Sequence, residues 1–212
     1  PSALLERLQG HRDLGIHTEL LSDGLIELVE RGVVTGTRKR LRTGKIVGTF
    51  AMGTETLYGF LDQNPAIEML PVDYVNDPRV IAQEETFISI NATTEVDLVG
   101  QCASETVAGR YWSSSGGQAD FARGAMFSPH GRGFVVLPST AAGGTLSRIR
   151  CVLTPGSMVT TIKNTVDMVV TEYGVAEMRG RSISQRARAL IGIAHPKFRD
   201  ELEAEARVIG YL

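Results

Sequence analysis

The chain has 212 residues, 42% of them apolar, a proportion ordinary for a globular core, and its length suits one domain of generous size or two small ones. One domain spanning residues 1–212 is the simpler reading. A formal net charge of −2 supplies no basic field to hold nucleic acid or an anionic membrane surface, so an anionic ligand must be met by local groups.

Residues 4–9 read as a short helix, followed by a strand over 13–19 that ends on Glu19. Ser22 is placed to cap the next helix, in which Leu25, Leu28 and Val29 recur on one buried face with Glu27 and Glu30 outward. Gly32 supplies the left-handed residue that commonly ends such a helix. Residues 46–51 read as a strand and 55–61 as a helix stopped by Asn64-Pro65, while Asp77-Pro78 opens another short helix. Strand and helix alternate to this point.

Residues 87–92 and 95–101 are extended runs rich in Ile, Val and Thr, and Thr93-Thr94 between them predicts an antiparallel hairpin. The sheet is then mixed. Gly116-Gly117 precedes a helix over 120–127, and 133–137, 150–153, 158–162 and 168–171 supply further strands whose apolar runs predict burial on both faces. From Ser184 the chain turns helical, with Ala187, Leu190, Ile191 and Ala194 in one stripe. Pro196 starts a last helix bearing Phe198, Leu202 and Ala206, closed by Gly210. The pattern is α/β: an open mixed β-sheet flanked by helices.

No run of eighteen apolar residues reads as a membrane span, and the N-terminus lacks a charged-then-apolar secretory pattern, so the expected location is cytoplasmic. Cys102 and Cys151 lie far apart without CxxC spacing, which suggests buried free thiols in a reducing compartment, with a bridge between them as the alternative.

In Gly15-Ile16-His17-Thr18-Glu19-Leu20 a carboxylate stands where the predicted strand gives way to a helix, facing the orphan N–H groups of the helix start. A carboxylate can attack an activated acyl group, which makes Glu19 a candidate nucleophile; the plain alternative is a solvated or capping residue. His17 shares its face of the strand and is placed to orient it. In Ser113-Ser114-Ser115-Gly116-Gly117-Gln118, glycines at a strand-to-helix turn let backbone N–H groups approach a ligand oxygen; the alternative is an ordinary tight turn. No G-x-S-x-G elbow supports a Ser-His-Asp reading.

Asn76, after Pro71-Val72-Asp73-Tyr74-Val75, is either a ligand contact or a turn residue ahead of Asp77-Pro78. Glu172-Tyr173-Gly174 and Arg179-Gly180 follow a strand, where they either line a site or fix the local turn. His195-Pro196 reads as a helix junction. The histidines at 11, 17, 130 and 195 show no metal-binding spacing, and no P-loop or dinucleotide G-x-G-x-x-G follows a strand, so no metal site, nucleotide hydrolysis or hydride transfer is expected.

The Glu19 hexapeptide, Ser115-Gly116-Gly117-Gln118-Ala119-Asp120-Phe121, Val170-Thr171-Glu172-Tyr173-Gly174-Val175-Ala176-Glu177-Met178-Arg179-Gly180 and Ile193-Ala194-His195-Pro196-Lys197-Phe198-Arg199 together resemble the acetyl-CoA hydrolase/4-hydroxybutyrate CoA-transferase family, of class I CoA-transferases. The resemblance implies a NagB/RpiA/CoA-transferase-like fold and the C-terminal half of an enzyme whose N-terminal half is its partner, the parent working as a homodimer. It also implies that Glu19 attacks an acyl-CoA thioester to give an acyl-glutamyl anhydride, which CoA then opens to a glutamyl-CoA thioester.

Gly116 and Gly117 would serve both catalysis and CoA binding, and Asn76 would lie near the CoA chain. Relatives carry a further glycine where this chain has Ser114. Coenzyme A or acyl-CoA and a small carboxylate enter as substrates, with no permanently bound cofactor. Two alternatives stand beside transfer: an acyl-CoA hydrolase on the same scaffold, and a CoA-binding or dimerising half inactive without its N-terminal partner.

Overall fold

The computed structural model describes residues 7–212; the first half of the helix expected over 4–9 lies outside the described residues, and a 3-10 turn, Leu8–Gly10, is seen at its end. Backbone contacts gather the chain into two compact units, Pro1–Glu85 and Thr86–Leu212. The architecture is mixed α/β, with several sheets where one open sheet was expected.

In the first unit, β1 (His17–Leu21), α1 (Gly24–Glu30), β2 (Ile46–Ala51), α2 (Glu55–Leu61) and β3 (Ile67–Met69) form a strand-helix alternation, with α3 (Val72–Val75) and α4 (Pro78–Ile81) following. The strands make a parallel sheet in the order β1-β2-β3, with His17 opposite Val47 and Ile46 opposite Ile67. Leu25 and Leu28 of α1 bury against Leu21, Val33, Val34 and Ile46, while Glu27 and Glu30 face water, as the helical spacing predicts. Gly32 ends the helix at φ +69°, and the Val33 amide donates to the Leu28 carbonyl across it.

Two expectations fail at the start of this unit. β1 begins four residues late, because Asp13 breaks the extended run at φ +56° and Leu14 bridges to Val34. Glu19 is therefore the central residue of β1, and α1 starts only at Gly24. Nor does Ser22 cap α1. The Asp23 carboxylate instead accepts from Thr54 Oγ1 at 2.6 Å and from the Thr54 amide, which joins the starts of α1 and α2 and holds the Asp23 carboxyl below its usual range.

In the second unit, β4 (Ile88–Ala92), β5 (Glu95–Asp97), β6 (Cys102–Ala103), β7 (Thr106–Val107) and β8 (Arg110–Tyr111) precede α5 (Gln118–Phe127) and β9 (Arg132–Val136). Then come β10 (Thr140–Ala141), β11 (Leu146–Ser147), β12 (Ile149–Arg150), β13 (Met168–Thr171), β14 (Gly174–Glu177), α6 (Ile183–Ile193), a 3-10 turn at Pro196–Phe198 and α7 (Arg199–Val208). The main sheet runs β14-β13-β9-β4, and a smaller one runs β12-β5-β6.

The expected hairpin over residues 87–101 is absent: β4 pairs in parallel with β9, and β5 pairs with β12 and β6 in the other sheet. Thr93 and Thr94 redirect the chain rather than turn it back. The Thr93 amide donates to the Val136 carbonyl, and both threonine hydroxyls donate to the Ala103 carbonyl. Residues 158–162 form no strand beyond a bridge of Thr161 to Cys102. Cys102 and Cys151 are free, buried thiols.

The core of this unit gathers Val135, Val169 and Ala176 from the main sheet, Val96, Cys102 and Ile149 from the smaller one, and Ala187, Leu190 and Ile193 from α6. Ser182 and Gln185 close a capping box that starts α6. The expectation that the strand runs are buried on both faces is half met. In the runs over 133–137 and 168–171, Gly133, Val135, Leu137, Val169 and Thr171 are buried, whereas Phe134, Val136, Met168 and Val170 on the opposite face are only partly covered.

Candidate functional site

Side chains alternate along β1, so His17, Glu19 and Leu21 share a face; His17 and Leu21 are buried and Glu19 between them is half-buried. The short α3 ends on Asn76, whose Nδ2 donates to Glu19 Oε2 at 2.5 Å across 57 residues of sequence. The structure thus brings together two residues that the sequence offered separately. Glu19 takes this bond from a side-chain amide, not from the amides of a helix start. Asn76 is 9% exposed, and its Oδ1 is buried with no hydrogen-bond partner among the described residues. A buried acceptor left unmatched is uncommon and suits a donor from outside the chain.

His17 bonds the residue next to Asn76. Its Nε2 lies 2.7 Å from the Val75 carbonyl, which can only accept, so Nε2 carries the proton and the ring fixes the residue next to Asn76. Burial pushes the His17 pKa below its usual 6.5, partly opposed by the Val75 bond. With the folded value depressed, the unfolded chain binds the extra proton first, so this contribution is intact above pH 6.5 and falls away as the solution is acidified below it. Urea unfolding at pH 7.5 and below pH 6 is expected to show this loss, and His17→Gln is expected to flatten it.

Lys39 escaped notice within a basic run, where nothing in the sequence marks it as internal. It is 8% exposed, and its Nζ donates to the Ile16 and Lys45 carbonyls at 3.0 and 2.8 Å, tying the approach to β1 to that of β2. Burial pushes its pKa down. The Glu84 carboxylate accepts from the amides of Arg40 and Leu41 and so pins the same loop.

The glycine turn belongs to the second unit. Gly116 is exposed at φ +54°, a conformation that suits glycine, and Gly117 is the buried residue from which α5 starts. Among the described residues, the amides of 114–117 donate to no backbone carbonyl. They lie ahead of a helix N-terminus, where a ligand oxygen is favourably met. Gln118 anchors the turn: it is 6% exposed, its Oε1 accepts from Ser104 Oγ at 2.7 Å and its Nε2 donates to Thr161 Oγ1 at 3.0 Å.

Removing that side chain as Gln118→Ala leaves both hydroxyls short of a partner and is expected to lower stability by about 1–3 kcal/mol, read from the urea midpoint. Tyr111 and Trp112, 66% and 76% exposed, lead into this turn. Sequence reasoning passed over them, although exposed aromatics next to a glycine turn are a usable signal.

Glu172 and Arg179 take the local structural role. The Glu172 carboxylate accepts from the Ser139 amide at 2.8 Å and Ser139 Oγ at 2.6 Å; burial opposes its charge, but these bonds prevail and hold its carboxyl below the ordinary range. Arg179 Nε lies 3.4 Å from Asp167, which also accepts from the Gly133 amide. His195 is the expected junction: its Nδ1 accepts from the Lys197 amide and its ring meets Tyr173 edge-on at 5.4 Å.

Comparison with known proteins adds a family to this geometry. The model for the acetyl-CoA hydrolase/transferase C-terminal domain matches residues 53–206, which include Asn76, Gly116 and Gly117 but begin after Glu19. The chain is 55% identical to the succinyl-CoA:cyclohexane-1-carboxylate CoA transferase of Geobacter metallireducens over 98% of its own length and 47% of that protein's. It is 50% identical to the 4-hydroxybutyrate coenzyme A transferase of Clostridium kluyveri, over 97% of the chain and 48% of that protein. The crystal structure of RipA from Yersinia pestis superposes with a TM-score of 0.95 at 47% identity, covering all of this chain and 48% of that one. The chain spans about half the length of the curated relatives it matches.

Proposed function

Since the chain belongs to the acetyl-CoA hydrolase/transferase family, we propose that residues 1–212 form the C-terminal, glutamate-bearing domain of a CoA-transferase. Such an enzyme moves CoA between a short-chain acyl-CoA and a free carboxylate. The observation that carries this reading is the half-buried Glu19 carboxylate held by the Asn76 amide at 2.5 Å, in a chain half identical to proteins named as CoA transferases.

In the proposed route a Glu19 oxygen attacks the thioester carbon and the C–S bond breaks, releasing CoA thiolate and leaving an acyl-glutamyl anhydride. The thiolate then attacks the Glu19 carboxyl carbon, the acyl carboxylate departs, and a glutamyl-CoA thioester remains. An incoming carboxylate reverses both steps. Each intermediate keeps the acyl activation, which explains a carboxylate where a hydrolase could use serine.

Backbone amides at a glycine turn such as Gly116-Gly117 can donate to an oxygen that gains charge, and donors of this kind contribute about 10²–10³-fold each. Asn76 has two uses in this scheme. Nδ2 steadies Glu19, and Oδ1 awaits a donor such as an amide N–H of the CoA chain. Coenzyme A enters as substrate, and the rest of the parent enzyme supplies an N-terminal partner half.

Incubating the full-length parent with acyl-CoA, trapping with hydroxylamine and mapping peptides by mass spectrometry tests the route. Hydroxylamine displaces CoA from a glutamyl thioester and leaves a hydroxamate, expected on the peptide holding Glu19. A hydroxamate elsewhere, or none, refutes the assignment. The rival hydrolase reading, kept open by the family's own description, predicts that acyl-CoA is consumed at the same rate without an added carboxylate.

A further inference from the structure

We propose that the exposed face of the β14-β13-β9-β4 sheet is the surface against which the N-terminal half of the parent enzyme packs. The inference rests on reading this chain as one half of a two-half transferase.

Strand register assembles the face. Ile90, Phe134, Met168 and Glu177 stand in one cross-strand row; Ala92, Val136, Val170 and Val175 stand in the next. Ile88 and Arg132 extend it at one end. Ile88, Ile90 and Val175 are 47%, 41% and 53% exposed, and Phe134, Val136, Met168 and Val170 are only partly covered. Alternation along each strand sends their neighbours Ser89, Val135, Val169 and Ala176 into the core, so the face is a continuous layer and not scattered side chains.

A sheet face meant for water carries polar side chains. Here the two central rows hold seven apolar residues and one charged one, Glu177, which pairs with Arg181 at 2.6 Å. Arg132 and Glu177 border an apolar middle, the arrangement of a buried patch with a polar rim. Moreover β4, β9 and β13 run parallel, and parallel sheets are covered on both faces. Contiguous apolar surface of this kind marks an interaction site.

The relatives' length selects the occupant. About half of each matched protein lies outside the region this chain spans, and the matching family domain is the C-terminal one, so an N-terminal portion of similar size accompanies it on the same polypeptide. A tethered portion meets the face at an effective concentration of about millimolar, ahead of any separate molecule. A second copy of the parent would have to compete with that tether.

Hydroxyl-radical footprinting of the full-length parent reads this without relying on activity, so its outcome is separate from the fate of Glu19. Oxidation of Ile88, Ile90, Met168 and Val175, each normalised to its rate in urea-denatured parent, is followed through a dilution series. Val208, 86% exposed on α7, is the control. The four residues are expected to react roughly fivefold or more slowly than the control at every concentration, as when half-exposed apolar side chains become core ones. Reaction of Ile88, Ile90 and Val175 at about half the rate of Val208, the ratio that their own exposures give, shows an open face and overturns the proposal. Protection that fades on dilution makes a second copy the occupant and overturns it equally.

Discussion

Glu19→Gln in the full-length parent is expected to lower turnover by about 10⁴-fold or more, the scale seen when a covalent nucleophile is removed. The amide matches the carboxylate in shape, and its oxygen can still accept from Asn76 Nδ2, so the bond that holds the side chain survives. Position 19 also contributes to β1 through its backbone, which the substitution leaves alone. Stability should therefore stay within about 1 kcal/mol of the wild type, while hydroxamate trapping disappears.

Glu19→Asp gives the graded counterpart. It keeps the charge but withdraws the oxygens by one methylene, and a misplacement of about 1 Å costs roughly 10²-fold. An ordering in which Asp retains more activity than Gln identifies a nucleophile whose reach matters. Equal turnover in wild type and Glu19→Gln would move the covalent chemistry to another residue.

Local elements were legible where local forces make them. The strand over 46–51, the helix over 55–61 and the strand over 168–171 fall at the expected bounds, since apolar periodicity and an Asn-Pro stop act within a few residues. Pairing was not legible. Thr93-Thr94 looks like a hairpin turn, yet Ile90 finds its neighbour at Phe134 and Val96 finds Ile149, and no short window encodes such partners.

The candidate site divides in the same way. Glu19 and Asn76 were visible as residues, but their bond depends on α3 arriving from 57 positions away. Lys39 and Glu84 were invisible because burial of a charged side chain is decided by the loops that enclose it. The apolar runs of β9 and β13 predict two covered faces, and this chain fully covers one.

Asn76 separates two roles that one bond distance cannot. Asn76→Ala removes the Nδ2 donor and the Oδ1 acceptor together; losing a hydrogen bond to a charged group costs about 1.5–3 kcal/mol, or roughly 10–100-fold in kcat. If Oδ1 meets the CoA chain, KM for acyl-CoA rises in the same variant. Asn76→Asp keeps an oxygen where Oδ1 stood and puts a second oxygen where Nδ2 donated, so it should preserve KM.

Its kcat should nevertheless fall below that of the alanine variant, because a second carboxylate 2.5 Å from Glu19 replaces attraction by repulsion of order a few kcal/mol. The expected signature is a KM that follows the oxygen and a kcat that follows the nitrogen. An aspartate variant as active as the wild type would show that the Asn76 amide does not steady the reacting carboxylate. An alanine variant altered only in KM would leave Asn76 as a substrate contact alone.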